Sequence, residues 1–158
     1  MDFDVLIEIP AQGSVKYEID EESGKLRVDR FLHTAMVYPF NYGYIEGSMG
    51  EDGDPLDVVV LSSHSVQGNV VIKCHAIGLL EMEDEAGIDT KIIVVPDKKI
   101  DPVYGLMIKI EEVPEIVRLK IKHFFDHMKE LEPGKWVKTG NYKSVEKAEK
   151  EVNKALRK

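Results

Sequence analysis

Up to Pro96 this chain reads as short alternating or continuous apolar runs set between turn signals, and from Pro114 onward its apolar residues recur every three to four. That single change of period constrains the fold more than any other feature, because it puts strands first and helices last. "DVLIEI" alternates as a strand. "SVKYEID" and "KLRVDRF" are two more, joined by "EESGK", whose Ser-Gly marks a turn, so they predict a hairpin. A Gly-rich aromatic loop, "YPFNYGYIEGSMG", holds a short strand near Tyr42–Ile45. "LDVVVLSS", "NVVIKCHAIGLLEM" and "TKIIVVP" follow as strands, the second long enough to bend or to span two segments. Pro114 suits the first turn of a helix, and Val117, Ile121, Phe124, Met128 and Leu131 line one helical face until "EPGK" stops it. Ser144 then caps a second, charged helix, "VEKAEKEVNKAL". The order predicts a mainly β fold with α: a small closed or partly open β-barrel with helices packed outside.

The 158 residues suit one domain, 1–158, and 43% hydrophobic residues suffice for a core. No apolar run approaches the ~18 residues of a membrane span, and "MDFDVLIEIP" has neither the basic start nor the cleavage site of a signal peptide. The lone cysteine, Cys74, lies in an apolar run and predicts a buried thiol in a reducing cytoplasm. A net charge of −8 argues against nucleic acid or an anionic membrane as partner. It leaves room for a small anionic substrate, because bound divalent cations invert the local sign of a carboxylate-rich pocket.

Two turns concentrate acid. "EDGDPLD" carries Asp52, Asp54 and Asp57, and "EDEAGID" carries Asp84, Glu85 and Asp89. Asp52 and Asp54, two apart in an extended segment, point to one side. Crowded carboxylates raise one another's pKa or recruit cations, and oxygen donors suit hard ions such as Mg²⁺, Mn²⁺ or Ca²⁺. Two solvated acidic turns are the plainer alternative. A calcium EF-hand does not fit: counted from Asp52, the sixth position is Asp57 where that loop needs Gly, and the twelfth is Ser63 where it needs Glu. His123 and His127 have zinc-ligand spacing on the helix but lack the Glu of H-E-x-x-H, so they read as packing or surface residues.

The hairpin supplies the opposite charge. Lys16 and Glu18 share a strand face, Arg30 ends the partner strand, and Tyr38 and Tyr42 follow in the loop. Lys, Arg and Tyr are the donors of a phosphate site. Acids for cations together with donors for phosphoryl oxygens are what metal-assisted phosphoryl transfer requires. No Walker loop or kinase signature accompanies them. A nucleotide phosphohydrolase, a catalytically dead relative and an OB-type binding module are the competing readings. The acidic charge opposes the last, since single-strand binders use basic grooves.

"DGDPLD" resembles the D-x-D-P-x-D signature of the soluble inorganic pyrophosphatases of the first family. "IEIP", "KYEID", "VDRF", "YPFNYGYI", "DEAGID" and "HFF…LEPGKWVK" resemble that family's other blocks, in its order, so the likeness spans about residues 3–140. It implies a five-stranded OB-like β-barrel with flanking α-helices, and Mg²⁺-dependent hydrolysis of inorganic pyrophosphate to two phosphates, with Mn²⁺ or other divalent ions as substitutes. It implies that Asp52, Asp57, Asp84 and Asp89 bind the metals, and that Glu8, Glu18 and Glu85 hold metal directly or through water. Asp54, or alternatively Asp89, matches the base acting on the attacking water. Lys16, Arg30, Tyr42 and Lys129 match phosphate-binding positions, and Tyr38 a cavity tyrosine. The resemblance to short prokaryote-type members further implies a homohexamer. One departure stands out: the helix block reads "HFFDHMK", with Met128 where the family's pattern has a tyrosine.

Overall fold

The computed structural model describes residues 1–157. Five strands close into a ring: β1 (Asp2–Ile9), β4 (Asn41–Ile45), β5 (Asp57–Val60), β8 (Lys91–Pro96) and β6 (Val70–Asp84), which pairs back onto β1. The fold is thus the expected OB-like barrel, with α1 (Glu115–His127) and α2 (Val145–Leu156) packed on it. Only the β5–β8 pairing in the ring is parallel. Both strands are buried on two faces, which is why "VVV" and "IIVV" read as continuous apolar runs. Their successive residues alternate between two clusters. Val59, Leu61, Ile93 and Val95 meet Ile121, Phe124 and Phe125 of α1. Val58, Val60, Ile92 and Val94 belong with Ala148 and Val152 of α2 and with the buried free thiol of Cys74.

The hairpin of β2 (Val15–Ile19) and β3 (Leu26–Phe31) forms a separate two-stranded sheet beside the ring. Its register sets Lys16 opposite Arg30. Gly43 lets β1 and β4 approach: a Cβ there would lie 1.9 Å from the Leu6 carbonyl oxygen, so every other residue is excluded. Ser144 caps α2 as expected, its hydroxyl accepting from the Lys147 amide.

One expectation is settled, one changes and one strand is new. Of the two readings of "NVVIKCHAIGLLEM", the bent one holds: the run lies in one continuous strand, Val70–Asp84, with bulges near Ala76–Gly78 and Leu80–Met82. α1 ends at His127, so Leu131 lies beyond it and is exposed. There the chain folds through tight turns, Glu130 N to His127 O and Glu132 N to Lys129 O, which bring Lys129 and Glu132 to charged partners. A further strand, β9 (Val137–Lys143), pairs with the far half of β6. "VKTGNYK" has mixed strand propensity, with Val137, Thr139 and Tyr142 for it and Gly140, Asn141 and two lysines against. Its place is secured across the chain, with Asp126 accepting from both the amide and the hydroxyl of Thr139 and the Tyr142 hydroxyl donating to the Arg118 carbonyl. Among the described residues no helix is long and apolar enough to cross a membrane.

Candidate active site

The two acidic turns and the hairpin meet at the ends of β1, β5, β6 and β8. A cavity of about 840 Å³ is lined by Glu8, Glu18, Asp52, Asp54, Asp57 and Asp89. A smaller one of about 150 Å³ is lined by Lys16, Arg30, Tyr38, Tyr42, Asp84, Lys91, Met128 and Lys129. Glu8, Glu18, Asp57 and Asp89 line both, so they form the wall between an acidic chamber and one of mixed charge, where Lys16, Arg30, Lys91 and Lys129 stand among the acids. Of the thirteen residues singled out in the sequence, only Glu85 lines neither. It stands behind them, tying Lys129 and Lys135 at 3.3 Å each.

Each side chain is positioned locally. Asp57 opens β5 and Asp84 closes β6. Gly53, at φ 87°, turns the signature loop, and the Asp52 carboxylate accepts from the Asp54 amide at 3.0 Å. Glu8 sits near the end of β1 and accepts from the Ile19 amide at 3.0 Å, which binds the hairpin to the barrel. Lys16 lies 3.0 Å from Glu18 and 3.7 Å from Asp29, and Arg30 donates to Asp29 at 2.5 Å. Lys129 lies 3.3 Å from Asp84. Tyr38 and Tyr42 pack 5.5 Å apart beside Phe124 and Phe125, so they serve core and cavity together. His123 and His127 pack against each other on α1, their rings 4.5 Å apart and tilted by 48°, outside both cavities.

The residue that sequence reasoning missed is Lys91. It is only 4% exposed and donates to Asp57 and Asp89 at 2.8 Å each, 5.3 Å above the Tyr42 ring. Burial disfavours its charge, but the two carboxylates more than restore it and hold its pKa above the ordinary range. One signal was present: a lysine opening an otherwise apolar buried strand demands a partner. Asp29 and Glu132 were likewise not singled out.

The charges of the site shift its acids in opposite directions. Burial raises the Glu8 carboxyl to about 7, with the Ile19 amide opposing and Asp57 and Glu18 adding to the rise. Burial, then Asp52 and Asp57, raise Asp54. For Glu85 the cost of burial is outweighed by its own amide and that of Trp136 and by Lys135 and Lys129, which lower it to about 2. Burial, then the Asp57 charge, hold the Tyr42 hydroxyl well above its usual value.

Among the described residues, no three His, Cys, Asp or Glu side chains are drawn together as a ready-made metal cluster. The carboxylates rest instead on ammonium groups, Asp57 and Asp89 on Lys91, and Asp84 and Glu85 on Lys129. The donor set nevertheless fits hard divalent cations. It consists of carboxylate oxygens lining one cavity, and the Lys91 ammonium already occupies a position of positive charge between two of them. The arrangement can hold cations on one side and an anion on the other.

Comparison with known proteins agrees with this geometry. The family profile described as inorganic pyrophosphatase matches residues 5–158. A protein named inorganic pyrophosphatase from Aquifex pyrophilus is 52% identical over 155 residues, 98% of this chain and 88% of its own. One of the same name from Saccharolobus solfataricus is 48% identical, with 98% and 90% covered. The solved inorganic pyrophosphatase of Helicobacter pylori superposes with a TM-score of 0.96 at 44% identity, covering 99% of this chain and 92% of that one. With the profile, the near full-length identity and the superposition all in agreement, this chain belongs to the inorganic pyrophosphatase family.

Proposed function

We propose that this protein hydrolyses inorganic pyrophosphate to two phosphates with the help of divalent cations, Mg²⁺ first and Mn²⁺ as a substitute. The observation that carries this reading is the shared wall of Glu8, Glu18, Asp57 and Asp89 between the acidic cavity and the one of mixed charge. A phosphoanhydride seated there meets cation ligands on one side and Lys16, Arg30, Lys129 and Tyr42 on the other. Asp52, Asp57, Asp84 and Asp89 would hold the metals, with Glu8, Glu18 and Glu85 supporting them. When bound, these ions supply charge neutralisation and Lewis acidity.

The chain's own residues do the rest. Asp54 takes a proton from the attacking water as the water oxygen bonds to one phosphorus and the bridging P–O bond breaks. Two observations favour Asp54 over Asp89 as that base. The Asp54 carboxyl is raised toward the basicity a proton acceptor needs, and among the described residues no lysine or arginine pairs with it, whereas Asp89 is tied to Lys91. The departing phosphate is received by Lys16, Arg30 and Lys129, and Tyr38 packs against Tyr42 to keep the clamp in place. A phosphate-release assay with pyrophosphate, ATP and metal-free arms tests this. Release from pyrophosphate with Mg²⁺ alone among the arms is expected; equal release from ATP would favour a nucleotide phosphohydrolase.

Met128 is 7% exposed and lines the phosphate cavity beside Lys129. A thioether is at best a weak acceptor and cannot donate to an anion. Met128→Tyr is therefore expected to lower KM for magnesium pyrophosphate about fivefold, the worth of one hydrogen bond to a charged group less repacking cost. An unchanged KM would show that this position does not touch substrate.

Glu8 gives the site a pH dependence. Its carboxyl is raised from 4.5 to about 7, so its contribution to stability is fully present below pH 4.5 and is lost as pH rises through 7, about 3 kcal/mol in the metal-free protein. Divalent cations need the ionised form, so their binding expels this proton. Apparent Mn²⁺ affinity should rise about tenfold per pH unit from 5 to 7 and level off above. Titration calorimetry in buffers of different ionisation enthalpy reads the proton release, and Glu8→Gln should abolish it.

We also read the working form as a homohexamer in a reducing cytoplasm. Ile100, Val103, Leu106, Ile108, Ile116 and Leu119, exposed over one stretch of the chain, support assembly, and the buried Cys74 thiol supports the compartment. Sedimentation velocity measures the assembly.

A further inference from the structure

The β2–β3 hairpin carries Lys16 and Arg30, yet it shares no strand ladder with the ring, and the Glu8 bond to the Ile19 amide holds it at its other end. Part of what holds its Arg30 end is one buried acid. Glu132, 8% exposed, lies in the turns after α1 and brings Oε1 to 3.0 Å from Arg30 Nε. The contact is ionic and lacks the alignment of a hydrogen bond. Arg30 Nε and Glu132 Oε2 are both buried and, among the described residues, without a hydrogen-bond partner.

Burying carboxylate oxygen in this way is costly, but Arg30 Nε is buried beside it and an apolar side chain there would leave that nitrogen without a counter-charge. The acid also gives direction. Glu132 takes Nε of Arg30 and Asp29 takes Nη1, at 3.0 and 2.5 Å, which leaves Nη2 as the guanidinium nitrogen without an acidic partner among the described residues. The backbone of Glu132 also joins the neighbouring cations: its amide donates to the Lys129 carbonyl and its carbonyl accepts from the Lys135 amide.

We propose that Glu132 is a positioning residue for substrate binding: it fixes the guanidinium of Arg30 toward the phosphate cavity and links the hairpin to the turn that carries Lys129. The inference rests on reading Arg30 as a phosphate ligand. It acts through Arg30 and touches neither substrate nor metal.

The test is a double-mutant cycle of parent, Glu132→Gln, Arg30→Lys and the pair, read by KM and kcat for pyrophosphate in saturating Mg²⁺ and by calorimetric affinity for inorganic phosphate. Thermal melts establish folding. Glu132→Gln should weaken phosphate binding and raise KM about tenfold while kcat changes less than about threefold, the loss expected when one charged, planar donor is no longer held. Added to Arg30→Lys it should change little further, because both act on one interaction. A folded Glu132→Gln that binds phosphate like the parent, beside an impaired Arg30→Lys, would overturn the inference alone, as would losses that multiply in the pair. An Arg30→Lys variant that binds phosphate like the parent would overturn the reading of Arg30 as well. Should Glu132→Gln not fold, Glu132→Asp, which withdraws the same charge by one methylene, enters the cycle in its place.

Discussion

Asp57→Asn is expected to lower kcat for pyrophosphate by about 10³-fold and to weaken Mn²⁺ binding by at least about tenfold. The reason is its position. Asp57 opens β5, lines both chambers and shares Lys91 with Asp89 at 2.8 Å each, so its loss removes one of the two carboxylates that flank a cation at the wall between them. Asparagine keeps the volume but loses the charge, and its amide group presents donors where a cation needs acceptors. Asp54→Asn provides the contrast. Asp54 lines only the acidic chamber and has no ammonium partner among the described residues, so its loss should lower turnover while Mn²⁺ still binds within a few-fold of the parent. Calorimetry and initial rates on the two variants separate the roles. If both bind Mn²⁺ like the parent, the assignment of Asp57 as a metal ligand is wrong.

Lys91→Met should make folding depend on divalent metal. The Lys91 ammonium is buried, and the Asp57 and Asp89 side chains on either side of it are about one-third exposed, at 35% and 34%. Removing the cation leaves two carboxylates facing each other. Full burial would make that worth several kcal/mol; solvent screening reduces it to about 1–3 kcal/mol in EDTA. For a domain of this size that lowers Tm by roughly 3–10 °C. On the proposed metal assignment, Mg²⁺ would take the same negative pair with no ammonium to displace, so millimolar Mg²⁺ should restore most of the loss, and by more than it stabilises the parent. Calorimetric melts of parent and variant, each with EDTA and with Mg²⁺, give the comparison. A Tm deficit equal in both conditions would mean that Lys91 and the metals do not share these carboxylates.

These expectations show where the site was legible. Asp52, Asp54 and Asp57 were readable because a turn and strand entrance puts them within six residues, but the segment is a turn at Gly53 and not extended, so it is the turn and not the spacing that brings Asp52 and Asp54 to one cavity. Lys16 and Arg30 were readable because the Ser-Gly turn predicts the hairpin, and the hairpin makes them neighbours across the strands. Lys91 was not, because its meaning lies in two carboxylates brought to it by separate pairings, Asp57 through the β5–β8 register and Asp89 through the acidic turn. Glu132 was not either, since local pattern continued the α1 face to Leu131 and hid the turns that aim Glu132 at Arg30. β9 was missed for a related reason: Val137, Thr139 and Tyr142 favour a strand but Gly140, Asn141 and the lysines around them do not, and the edge of β6 decides between them.

The amino-acid order alone determined the class of fold, the identity of the acidic and basic sets, and the family they resemble, because periodicity, turns and motif spacing are properties of adjacent residues. Only the tertiary structure decided the closure of β6 onto β1, the ending of α1 and which cation neutralises which acid. Those outcomes depend on burial. A buried charge is tolerated only beside an opposite one, and that partner can come from anywhere along the chain.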